Sequence, residues 1–70
     1  MMPLSMSKAG EVEYIRKITG KDEVRQHLAE MGFVVGESVT VVSKIAGNMI
    51  INVKGTRVAI DQTMCNRILV

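Results

Sequence analysis

The sequence predicts a mainly β fold: a small, partly open barrel of about five strands with one short α-helix at roughly residues 21–31. Three observations carry this reading. Val and Ile dominate the apolar residues, which make up 47% of the chain, and both favour strands. Apolar residues recur at period two in short runs separated by glycine-containing turns. Only Lys21 to Met31 spaces its apolar residues as a helix does. At 70 residues the chain is expected to form a single domain, 1–70, with little core to spare for a deep pocket.

The elements follow in order. "PLSMSKAGE" reads as one irregular turn closed by Gly10. Glu11 to Ile18 reads as a half-buried strand, with Val12, Tyr14 and Ile18 inward and Glu11, Glu13 and Lys17 outward. Arg16 falls on the apolar side, where its stem can pack while its head reaches water. After Thr19-Gly20, Val24, Leu28 and Met31 form the apolar stripe of the helix, and Asp22 and Glu23 favour its N-terminal dipole. The other side carries Arg25, Gln26 and Glu30. Four further strands are expected: Ser38 to Ile45, Met49 to Val53, Arg57 to Ile60 and Arg67 to Val70. Asp61 is placed to cap a single helical turn before the last of them.

Hairpin arithmetic predicts the register. A two-residue loop at Gly55-Thr56 pairs Val53 with Val58 and Ile51 with Ile60. A three-residue loop, Ala46-Gly47-Asn48, pairs Ile45 with Met49 and Val41 with Val53, with Asn48 left-handed. Val39, Val41, Ile45, Met49, Ile51, Val53, Val58 and Ile60 then share the inner face.

The glycines of "MGFVVG" invite comparison with phosphate-binding loops. Those loops run strand, glycines, helix, whereas here a helix precedes and a strand follows, and no Lys follows Gly36. A structural reading fits better. Gly32 is placed to end the helix in a left-handed residue, with Phe33 packing back on Leu28. Val34-Val35-Gly36-Glu37 suits a type II turn with Gly36 at the positive-φ position. Gly55 marks a further turn.

"LAEMGFVVGESVTVV" resembles the signature of the FeoA family, small proteins of bacterial ferrous iron uptake. "PLSMSKAGE" is similar to the family's opening segment and "VKGTRVAIDQTMCNRILV" to its ending, so the likeness spans nearly the whole chain. The family usually has Pro where Val35 stands, and often a longer loop at "AGN". The resemblance implies an SH3-like barrel. It also implies a non-enzymatic, cytoplasmic interaction module acting on the membrane ferrous iron transporter FeoB, which carries a G-protein domain. The same fold occurs in iron-dependent repressors, so a transition-metal-binding regulatory module is the alternative, and a small RNA-binding barrel is a third.

The residues weigh on these alternatives. Net charge is +2, with five basic and five acidic residues up to Val35 and four basic and two acidic after it. Neither half is a polycation, and with one Phe and one Tyr for stacking, no nucleic-acid partner is expected. A metal needs converging His, Cys, Asp or Glu. The candidates are His27, Glu23 and Cys65: the first two are one turn apart on a helix, and Cys65 reads better as a small core residue. No cofactor is expected to be required, and a weakly held Fe2+ or similar transition metal is the one ligand of this kind that the resemblance implies. No catalytic constellation is present. The single Cys65 rules out an internal disulfide, which suits a reducing cytoplasm. No apolar run is long enough for membrane insertion. Candidate partner-binding residues are Arg25, Gln26 and Glu30 on the helix and Ala46, Gly47 and Asn48 in the loop, with an exposed edge strand as a third surface.

Overall fold

The computed structural model describes residues 1–70. The fold is mainly β, with six short strands in two antiparallel sheets. The strands are β1 (Val12–Tyr14), β2 (Lys17–Ile18), β3 (Ser38–Ile45), β4 (Asn48–Val53), β5 (Thr56–Asp61) and β6 (Ile68–Leu69). One sheet runs β1-β3-β4-β5 and the other pairs β2 with β6, so the barrel is not closed. Helix α1 spans Asp22–Glu30, a single turn α2 spans Gln62–Cys65, and Leu4–Met6 forms a 3-10 turn.

The helix forms where its stripe and its stop signal coincide. Leu28 is buried and Val24 and Met31 pack against the core. Gly32, at φ 102°, closes it: Phe33 N–H donates to Leu28 O at 3.0 Å and Gly32 N–H to Ala29 O at 3.0 Å. That is a Schellman cap, which satisfies carbonyls the helix leaves free. Gly36 then turns the chain at φ 92°, with Glu37 N–H donating to Val34 O at 3.0 Å. At the far end Asp61 caps α2, accepting from Met64 N–H at 2.8 Å.

Both central hairpins differ from the predicted register, each for a reason. The loop between β3 and β4 has two residues, Ala46 and Gly47, at φ 48° and 82°, and Ile45 pairs with Asn48. Positive φ at both positions is the type I′ geometry, whose twist matches the strands, so Asn48 lies in the strand rather than in the left-handed position. A bulge between Val41 and Ser43 then shifts the pairing, giving Val41 with Ile51 and Val39 with Val53. A bulge reverses which side later residues face. Ile45 is therefore 60% exposed, while Lys44 stands opposite Met49 and donates from Nζ to Ser5 O at 2.9 Å. The β4–β5 loop is Lys54-Gly55, at φ 50° and 76°, again type I′. It pairs Val53 with Thr56, Ile51 with Val58 and Met49 with Ile60, two residues from the predicted register. A two-residue shift preserves the face. Met49, Ile51, Val53 and Ile60 are thus buried and Val58 packs against them as expected.

The first strand is also corrected. Glu11 to Ile18 is not one strand but β1 and β2, separated at Ile15-Arg16, where the chain passes from the large sheet to the small one. Its inner side is the other one: Ile15 is buried, and Val12 and Tyr14 face out. The inward Glu13 is held by Ser7, a fully buried residue whose Oγ donates to Glu13 Oε2 at 2.8 Å. That bond answers the polarity that made the sequence read the other way. The twelve-residue core draws Leu4, Ile15, Leu28, Phe33, Cys65 and Ile68 onto the inner face of the sheet.

Candidate functional site

The helix-to-strand corner builds a groove. Gly32 and Gly36 reverse the chain so that Val34 and Val35 lie beside the exposed side of α1. Asp22, Arg25, Gln26 and Ala29 form one wall, Val34 and Val35 the other, and Ile18 and Phe33 also line the groove, with a volume of about 400 Å³. Val35 is 64% exposed and Val34 also faces solvent. Arg25 Nη1 stands 3.4 Å from Asp22 Oδ1, an exposed pair of little energetic consequence that leaves the wall polar and adaptable. Two predicted residues, Arg25 and Gln26, therefore belong to this groove, whereas Glu30 is exposed outside it.

The loop candidates line a second hollow. Ala46, Gly47 and Asn48 border a space of about 230 Å³ with Ser5, Lys44, Met49 and Gln62. Gln62 N–H donates to Gly47 O at 3.0 Å, and Ser5 Oγ donates to Asn66 Oδ1, so the hairpin, α2 and the 3-10 turn are tied together. This hollow is polar and smaller than the groove.

The metal candidates do not assemble. Glu23 and His27 are exposed on α1, while Cys65 is fully buried in α2. No three His, Cys, Asp or Glu side chains come together. Burial pushes the Cys65 thiol up to about 11, helped by the Asp61 carboxylate and opposed by Lys44. A thiol held neutral is a poor nucleophile and a poor ligand, so Cys65 acts as packing.

Sequence reasoning missed the valine wall and the outward face of β1. From the sequence alone Val34 and Val35 are turn residues, although two consecutive valines in a glycine-flanked turn have no core to enter. The inward placing of Val12 and Tyr14 rests on parity alone. No helix is long and apolar enough to cross a membrane.

The FeoA domain model matches residues 2–70. The chain is 33% identical over 70 residues to a Methanocaldococcus jannaschii protein whose name assigns it to Fe(2+) transport, covering 100% of this chain and 85% of that one. It is also 33% identical to the crystal structure of an iron uptake regulatory protein, FeoA, with a TM-score of 0.89 over 96% of this chain and 89% of the other. A manganese-dependent transcriptional repressor shares the SH3-like fold, with a TM-score of 0.86 at 14% identity over 94% of this chain and 38% of that one. The chain belongs to the FeoA family, which is associated with ferrous iron transport.

Proposed function

We propose that this chain is a non-enzymatic, cytoplasmic accessory protein of ferrous iron uptake that docks on the membrane transporter FeoB. The observation that carries this reading is the groove between α1 and the Val34-Val35 turn. It is open, apolar at its base and polar along one wall, and such grooves take a partner's side chains rather than a small substrate. Val35 supplies the exposed apolar anchor, and Arg25 and Gln26 supply orientation. The module tunes transport by binding and needs no resident cofactor for it.

The test is co-purification with the full-length transporter, with and without GTP. The expected result is association that Val35→Asp weakens at least about tenfold, by placing a charge in a desolvating contact. No association under any nucleotide condition would overturn the proposal. The metal-sensing alternative is tested separately by anaerobic calorimetry with Fe(II), for which no saturable heat is expected. Saturable binding that His27→Ala weakens would favour that alternative.

A further inference from the structure

Strand β1 is an edge whose outer side is unpaired. Its only neighbour is β3. Ile15 N–H donates to Glu37 O at 3.0 Å, and Glu11 O accepts from Val41 N–H at 3.0 Å. The odd-numbered residues thus turn their backbone groups toward β3. Backbone groups alternate sides along a strand, so those of Val12 and Tyr14 point away from the sheet. These two residues are 57% and 63% exposed. On the other face stand Glu13, half-buried beside Ser7, and Glu11.

We propose that the β1 edge takes up an extended segment of a partner protein as an added antiparallel strand, apolar at alternate positions and basic between them. Val12 and Tyr14 each offer one N–H and one C=O, so the added strand gains a ladder of backbone hydrogen bonds. Its apolar residues lie beside Val12 and Tyr14, and its basic residues lie opposite Glu11 and Glu13. Charge selects this occupant over a second copy. A twofold β1–β1 pairing that satisfies both edge residues sets Val12 opposite the second copy's Tyr14, but also Glu13 opposite Glu13. Like charges directly opposite are destabilising, and an inward charge is a recognised guard against edge-to-edge association. The same carboxylate attracts Lys or Arg. This edge shares no residue with the α1 groove, and its occupancy does not depend on the transporter reading.

The test is amide hydrogen exchange by NMR on the full chain, with the acetylated peptide Thr-Lys-Val-Lys-Val-Lys-Thr as the probe. The Val12 and Tyr14 amides exchange fast in the free protein and become protected about tenfold or more at millimolar peptide. A peptide with Glu replacing each Lys gives no protection. Glu13→Gln keeps the acceptor for Ser7 and weakens the Lys peptide about two- to five-fold. Val12→Pro removes one edge donor where strands tolerate proline, and weakens it further. The amide spectrum of each variant reports its folding in the same sample. Unprotected Val12 and Tyr14 at saturating peptide, or equal protection by the two peptides, would overturn the proposal. So would protection that rises with protein concentration in the absence of peptide, because it would make a second copy the occupant.

Discussion

Gly32 and Gly36 both hold positive φ, yet a methyl group costs more at one than at the other. At Gly36 an added Cβ meets nothing within 4 Å, so Gly36→Ala carries only the backbone penalty, about 1–2 kcal/mol. At Gly32 the same Cβ sits 3.3 Å from Val53 Cγ2, inside the core, and Val53 must also give way. Urea denaturation is expected to rank Gly32→Ala as the less stable of the two. Equal midpoints would show that the corner relaxes freely. Cys65 is the other residue with a specific signature. Its thiol titrates at about 11 in the folded chain against 9.0 for an unperturbed thiol. Between those values the unfolded chain has lost a proton that the folded one keeps, so stability falls as pH rises from about 9 to about 11. Cys65→Ala removes that portion of the alkaline loss, and the wild-type thiol resists alkylation at pH 8 until the fold opens. Alkylation at the rate of a free thiol would contradict the burial.

At the scale of elements, turn chemistry decides register. Ala46 sits at φ 48°, a left-handed conformation that a side chain with a Cβ adopts reluctantly. Ala46→Gly is expected to raise stability by about 1 kcal/mol, measured by thermal or urea unfolding. No gain would mean that the hairpin already compensates locally. Val35 occupies the first central position of a type II turn, where proline is favoured, and its N–H enters no backbone bond. Val35→Pro should therefore stabilise by about 0.4–1 kcal/mol while keeping the groove apolar. These positions also explain what was legible beforehand. The helix, its Schellman stop and the Asp61 cap depend on contacts within five residues, and such signals sit in adjacent letters. The outward turn of Ile45 depends on a bulge opposite β4, and the inward turn of Glu13 depends on Ser7 across the first turn. Neither neighbour is visible from the strand's own pattern. The groove was half legible: Arg25 and Gln26 declare a solvated helix side, but its opposite wall exists only once Gly32 and Gly36 fold Val34 and Val35 back.

At the scale of the molecule, one core is shared by every layer. Its twelve side chains include Leu4 from the first turn, Leu28 from α1, Ile51 from the large sheet, Cys65 from α2 and Ile68 from the small sheet. The two ends of the chain meet there as well: Met2 N–H donates to Val70 O at 2.9 Å, and Val70 N–H to Met2 O at 2.8 Å. The small sheet is thus a lid on the large one rather than a unit of its own, since a pair of two-residue strands from opposite ends of the chain cannot stand without the core beneath it. This arrangement predicts how the fold fails. Ile68→Ala empties a fully buried site and is expected to cost about 2–5 kcal/mol, a large part of what so small a core supplies. Because Ile68 packs in the same cluster as Val41 and Ile51, the loss should appear at the β3–β4 amides as well as at β6. Native-state hydrogen exchange distinguishes the two cases. A parallel drop in protection across both sheets is expected. Lost protection at β2 and β6 alone, with β3–β4 unchanged, would show that the small sheet opens independently and that the core is divided.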